Sequence, residues 1–271
     1  MPEYPEIAVL AREMKIELAG RVIARVHVLQ PRCLNMTKRS FVKGLTGAKI
    51  VDVTQRGKWL RVETTQGWLL LSLGMGGEIL LVHPGQLPKK YRLVFYFEDG
   101  QALAVNFWWF GYAHYARPGQ LGRHRMTAKL GPNALDLTPA ELWQKLAGRR
   151  GQVKAFLLDQ SKIAGIGNFY VHDILFLAHL HPLRSLKSLT PEDGERLAQA
   201  IRGGLAPSLK KGGSFYEVDL YGEKGKFSLD DVLIGYKAGK PCPVCGTPIE
   251  KIRTGGTVTF ICSSCQPRNG P

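Results

Sequence analysis

The chain has 271 residues, 44% of them hydrophobic, which suits one large or two ordinary globular domains with a real core. Lys and Arg number 37 against 22 Asp and Glu, a formal charge of +15 that predicts a polyanionic partner, because clustered positive charge concentrates phosphates. No apolar run reaches the ~18 residues of a membrane span. The start, MPEYPEIAVL, lacks the basic and apolar regions of a signal peptide, so a cytoplasmic protein is expected, nucleoid-associated if the source is bacterial.

Residues 6–18 read as an amphipathic helix, with Ile7, Leu10, Ala11, Met14 and Leu18 near helical spacing. From Val22 to His114 the pattern changes to short β-rich runs (VIARVHVL, KIVDVT, KWLRVET, WLLLSL, EILLV, YRLVFYF, ALAVNFWW) separated by turns at Gly47, Gly67, Gly76-Gly77 and Asp99-Gly100. Such strands predict a sandwich or barrel. Four helices are expected between 138 and 211, two of them opening on Thr-Pro, the first with Thr138 as N-cap and Glu141 three residues on. Residues 212–231 are Gly-rich and polar and are expected to form a mobile loop. The last forty residues form a separate small unit.

Cys242, Cys245, Cys262 and Cys265 make two C-x2-C pairs, the spacing of a tetrahedral zinc site. With four cysteines as ligands no position remains for a catalytic water, so one structural zinc is expected. The stretch between the pairs reads as a β-hairpin turning at Gly255-Gly256. Cys33, alone, is expected to be buried. The histidines show no spacing that competes with the four cysteines for a metal.

Ala164-Gly165-Ile166-Gly167-Asn168 lies between two helical stretches, after Arg149, Arg150, Lys154 and Lys162. A glycine turn at a helix N-terminus can present backbone N–H groups to phosphate, with Asn168 as N-cap and donor. The same residues also suit an ordinary helix–helix connection.

Pro2 follows Met1, and its small side chain permits removal of that methionine, leaving a secondary amine with a pKa near ~8. Such an amine can attack a sugar carbon and form an iminium. Glu3 and Glu6 supply carboxyls beside it that could shuttle protons.

In combination these features resemble the formamidopyrimidine-DNA glycosylase / endonuclease VIII family over nearly the whole chain. MPEYPEI looks like that family's catalytic start. RGKWL (56–60) resembles the strand that carries its lysine, here Lys58. LSLGMGG (71–77) resembles its intercalation loop, with Met75 as the wedge. Residues 153–182 are similar to its helix–two-turn–helix. The resemblance implies an α+β fold: a two-layer β-sandwich flanked by helices over 1–130, a helix–two-turn–helix domain with a lesion loop over 131–231, and a zinc-finger hairpin over 232–271. It also implies a base-excision repair enzyme, acting as a monomer on double-stranded DNA with damaged bases or abasic sites. Pro2 would attack the anomeric carbon of a flipped nucleotide, Glu3 would protonate the opening sugar, and β-elimination would cut the strand. Glu6 would support the site, while Lys58, Lys154 and Asn168 would hold phosphates.

The chain departs from the family where bases are chosen. The family commonly reads Arg-x-Phe-Gly in the loop that fills the void; here Trp108 and Trp109 precede Phe110 and Gly111. Indoles can stack on bases but cannot read an orphan base edge as arginine does; the two tryptophans also suit the core of a strand. Thr257 stands where the zinc hairpin usually carries a phosphate-binding arginine, and the family's acid after Asn168 is Asp173. These changes point away from 8-oxoguanine opposite cytosine, toward a broad or pyrimidine-lesion range or simple abasic-site cleavage. They also leave open a non-catalytic or weakly catalytic damaged-DNA-binding protein. A zinc-ribbon protein for RNA or protein partners accounts for the finger and the charge but not for the chain start.

Overall fold

The structure, a computed structural model, describes residues 1–268. The elements in chain order are α1 (Tyr4–Leu18), β1 (Ile23–Val28), α2 (Lys38–Leu45), β2 (Ile50–Arg56), β3 (Trp59–Thr64), β4 (Gly67–Ser72), β5 (Glu78–Val82), β6 (Leu93–Phe97), β7 (Ala102–Asn106) and β8 (Tyr112–Ala116). There follow α3 (Pro139–Leu146), α4 (Val153–Leu158), α5 (Val171–Leu177), α6 (Pro191–Lys210), β9 (Glu250–Thr254) and β10 (Thr257–Ile261). The expected strands and the four later helices are all present. The helix α2 falls inside the region read as β; the Thr37 side chain caps it, accepting from Ser40 N.

The chain divides into two compact units, 1–129 with 211–226, and 130–210 with the residues from Phe227 onward. In the first, two four-stranded antiparallel sheets, ordered β1-β6-β7-β5 and β2-β3-β4-β8, form the expected sandwich. Its core includes Phe41, Leu60, Leu71 and Phe95, and α1 lays Ile7, Leu10, Met14 and Leu18 into it. Burying each such side chain contributes about 1.5–3 kcal/mol.

The expectation of a mobile loop at 212–231, grouped with the helices, gives way to a docked segment. Leu220 is fully buried in the sandwich core. Three carboxylates on α1 hold the segment: Ser214 N donates to Glu6 Oε1 (3.0 Å), Leu220 N to Glu13 Oε2 (3.0 Å) and the Tyr221 hydroxyl to Glu17 Oε1 (2.9 Å). Glu6, Glu13 and Glu17 share one helix face, so a single side of α1 receives the strap.

In the second unit α5 and α6 cross closely. A Cβ on Gly204 would lie 2.6 Å from Ile174 Cγ1, so only glycine permits the approach. The zinc hairpin joins this unit instead of standing apart, because Ile249 and Phe260 pack with Phe176 and Ile234. Asp173 on α5 accepts from Leu233 N (2.7 Å), Ile234 N and Gly235 N (3.0 Å each), fixing the chain that leads into the finger. Burial holds this carboxyl above its usual range despite three N–H donors. Asp173→Asn replaces one accepting oxygen by a donor facing an N–H. It is expected to lower stability by about 1–3 kcal/mol, read as an earlier thermal unfolding midpoint.

No helix among the described residues is long and apolar enough to cross a membrane.

Candidate active site

The chain start is built into the first unit. Pro2, Glu3 and Glu6 are buried although Met1 is exposed. Pro5 stands at the first turn of α1, where its missing N–H costs nothing. Glu3 N donates to Glu6 Oε2 (2.8 Å) while Glu6 Oε1 takes Ser214 N, so one carboxylate ties the chain start to the docked segment. The Met1 amine lies 3.3 Å from Glu217 Oε1, on a side chain only 14% exposed. Burial pushes the Glu217 carboxyl up to about 7; the amine opposes that rise, and the negative charges of Glu6 and Glu3 add to it. Sequence reasoning missed Glu217. Its only signal was an acidic residue in a segment read as loop, and its placement depends on the return of 211–226 to α1.

Lys58 follows Gly57 in the tight turn between β2 and β3 and is partly exposed.

The aromatic loop is not strand core. β7 ends at Asn106; Phe107 turns inward, and Trp108, Trp109 and Phe110 are 64%, 64% and 65% exposed. Two hydrogen bonds fasten this loop to the one carrying Met75, Met75 N to Trp109 O (2.9 Å) and Trp108 N to Met75 O (3.3 Å). Gly74 makes that approach possible: its φ is +57°, and a Cβ there would lie 2.1 Å from Trp109 O. Met75 itself is 44% exposed. Met75 and the tryptophans are thus presented together. Beside the tryptophans is a cavity of about 720 Å³ lined also by Leu29, Lys89, Lys90, Tyr91 and Arg92, with three cations and no carboxylate.

In the second unit, the resemblance implies Lys154 as one of the residues that hold phosphates. Its side chain is buried, and its three N–H donors are shared among four oxygens within hydrogen-bond distance of Nζ: Thr254 Oγ1 (3.2 Å), Thr257 Oγ1 (2.9 Å), Val258 O (3.1 Å) and Thr259 Oγ1 (2.6 Å). Every partner belongs to the zinc hairpin, and desolvation holds the amine down at about 8. Lys154 therefore clamps the hairpin, with Thr257 at the clamp's exposed edge. Asn168 is not the N-cap of α5, which begins at Val171; it opens the preceding turn, and its Oδ1 is buried without a donor. Gln160 braces the glycine turn, accepting from Gly165 N (2.9 Å) and donating to Ile166 O (2.8 Å).

The four cysteines converge. Sγ–Sγ distances are 3.4 Å (Cys245–Cys262), 3.5 Å (Cys245–Cys265) and 3.8 Å (Cys242–Cys265). An ion ~2.3 Å from four thiolates at tetrahedral corners would space them by about 3.8 Å, so the donor set fits one zinc. Among the described residues no other group of three or more His, Cys, Asp or Glu side chains is placed to hold a metal ion. The hairpin turns at Gly255-Gly256 with Thr254 opposite Thr257, as the sequence led one to expect. Cys33 is buried, its thiol pushed up to about 11 by desolvation.

Comparison with known proteins accounts for these pieces together. The formamidopyrimidine-DNA glycosylase N-terminal domain matches residues 1–106, the H2TH domain of the same enzymes residues 130–219, and the zinc finger found in FPG and IleRS residues 239–268. The formamidopyrimidine-DNA glycosylase of Symbiobacterium thermophilum is 36% identical over 273 residues, covering 98% of this chain and 90% of the relative. That of Bacillus cereus is 34% identical over 275 residues, covering 99% and 100%. Among solved structures, wild-type Lactococcus lactis Fpg bound to N7-benzyl-Fapy-dG DNA aligns with a TM-score of 0.89 at 29% identity, over 98% of this chain and 100% of that one. The same enzyme with abasic-site DNA aligns at 0.88 and 28%, over 98% and 99%. MutM with DNA containing carbocyclic 8-oxo-G aligns at 0.88 and 29%, over 98% and 100%. With a catalytic-domain match, a helix–two-turn–helix match and a zinc-finger match in the family's order, this chain belongs to the formamidopyrimidine-DNA glycosylase family.

Proposed function

We propose that this protein is a bifunctional DNA glycosylase and abasic-site lyase that removes oxidised bases from double-stranded DNA. The observation that carries this reading is the chain start: a buried proline at position 2, followed by the buried Glu3 and Glu6, in a member of this family. A damaged nucleotide leaves the stack. With Met1 removed, the Pro2 nitrogen attacks C1′ as the base departs, Glu3 gives a proton to the sugar's ring oxygen, and the resulting iminium makes the 2′ proton acidic enough for β-elimination. Glu6 holds Glu3 and the docked segment in register. Lys58 and Asn168 bind phosphates around the lesion. Lys154 serves the same end indirectly, by fixing the hairpin. The zinc is structural, and cellular work on the bacterial nucleoid fits the relatives.

The test is borohydride trapping with duplexes that carry an abasic site, 8-oxoguanine or an oxidised pyrimidine. A covalent adduct and strand cleavage are expected with correctly processed protein. Absence of any adduct would remove the lyase assignment and leave a damaged-DNA-binding protein.

The exposed tryptophans support loose reading of the base opposite the lesion, because every base has a face to stack on. Binding to an abasic-site duplex is expected to change little among the four opposite bases. Removing both indoles is expected to weaken it by about 1–3 kcal/mol per base that stacks. Titrations with Trp108→Ala/Trp109→Ala protein check this, and a strong opposite-base preference in the parent protein would contradict it.

A further inference from the structure

We propose that Glu217 is a further catalytic residue, the group that takes the proton from the Pro2 nitrogen during covalent catalysis. The proposal rests on the glycosylase–lyase reading above and adds a residue to it.

The chain start needs a proton acceptor. An α-amino group is largely protonated at neutral pH and is then no nucleophile. After it has added to C1′, the nitrogen still carries a proton that must leave before its electron pair can form the iminium. Glu3 is the donor to the ring oxygen in this scheme. Glu6 has both oxygens engaged, by Glu3 N and Ser214 N. Glu217 is the third carboxyl here and the one already paired with the chain's terminal amine, at 3.3 Å.

The geometry suits it to the task. Its side chain is 14% exposed, and its backbone N–H donates to Ser214 O (3.1 Å), so the backbone is anchored two hydrogen bonds from Glu6. In the chain that keeps Met1, the amine beside Glu217 is that of Met1. Removing Met1 withdraws the terminus by one residue, a Cα step of about 3.8 Å, and a glutamate can follow such a step by changing rotamer. The charged groups that act on Glu217 are the terminal amine, Glu6 and Glu3. Burial and these two carboxylates hold it near neutrality, where a carboxyl both accepts and releases protons readily.

The step balances as follows. Glu217 carboxylate takes one proton from the Pro2 ammonium. The freed lone pair forms the N–C1′ bond while the C1′–base bond breaks, its electrons leaving with the base, which takes a proton from water. The N–H proton that remains passes to Glu217 after it has released the first to solvent. The nitrogen lone pair then forms N=C1′ as the C1′–O4′ bond breaks and O4′ takes a proton from Glu3, which has first taken one from solvent and returns to the carboxylate.

The test is single-turnover trapping on an abasic-site duplex across pH 5.5–9.5, using processed full-length protein with Glu217→Gln and Glu217→Ala. A carboxylate that is merely a counter-ion to the ammonium would shift the midpoint of the pH profile and leave its alkaline plateau alone. For a proton acceptor, the Glu217→Gln plateau is expected to fall about 10²-fold, and formate is expected to restore part of the Glu217→Ala rate. Affinity for a duplex with an abasic-site analogue, measured on the same samples, reports folding and is expected to be unchanged. A plateau within about threefold of the parent, or no response to formate, overturns the role of Glu217 while the enzyme's function stands. Failure of the parent protein to trap at any pH overturns the function itself.

Discussion

Protein that retains Met1 is expected to give no borohydride-stable adduct with abasic-site DNA while binding that DNA with nearly unchanged affinity. In the retained form the Pro2 nitrogen is a tertiary amide whose lone pair is delocalised into the carbonyl, and the free amine, on Met1, sits one residue away against Glu217. Pro2→Gly in processed protein is a milder test. It leaves a primary amine, so an imine can still form, but it removes the ring that fixes the backbone at the chain start. A reacting nitrogen misplaced by an ångström can cost about 10²-fold, and trapping is expected to slow by that order. Intact mass spectrometry establishes how the N-terminus was processed, and gel-resolved adducts give the rate. Adduct formation at the parent rate by Met1-bearing protein would mean that another amine is the nucleophile.

The second large effect concerns the zinc. Structural zinc in small fingers supplies about 10–16 kcal/mol of folding free energy. Here its loss has a second cost, because the hairpin it holds also receives the Lys154 ammonium. Once the hairpin frays, Thr254, Thr257, Thr259 and Val258 O no longer accept from Lys154, and a buried cation is left without partners. Chelation, or Cys245→Ser with Cys262→Ser, is therefore expected to destabilise the second unit beyond the finger itself, to lower the unfolding midpoint and to abolish tight DNA binding at physiological salt. Zinc content and thermal unfolding followed together check this. In a metal-free background, replacing Lys154 by Met is expected to recover part of the lost stability, since a neutral side chain needs no acceptors.

Regular elements were legible where the periodicity was long or the caps explicit. The Thr138–Glu141 capping box and the alternating runs of the sandwich are of this kind. The helix α2 was hidden because KRSFVKGL is short, buries only Phe41 and Leu45, and is flanked by β-rich runs. The zinc site was readable because four ligands at set spacing admit few other uses. Trp108 and Trp109 continue the apolar run of β7, and nothing local says that the strand ends at Asn106; the end is set by contact with the Met75 loop. Lys154 and Glu217 were opaque for a shared reason. Each owes its environment to a segment distant in sequence, the hairpin in one case and the chain start in the other, and charge alone does not say whether a side chain meets solvent or threonines.

The docked segment 211–226 sets an order of events during synthesis. Residues 1–129 leave the ribosome first, yet their unit lacks Leu220 in its core and lacks the partners of Glu6, Glu13 and Glu17 until some ninety more residues have been added. At ordinary elongation rates that gap lasts roughly 5–20 s. Throughout it the chain start has no Glu217 beside it, and on the proposed mechanism this is the window in which an aminopeptidase removes Met1. On the proposed mechanism the completed strap closes over an amine already trimmed, and translation times the maturation of the nucleophile.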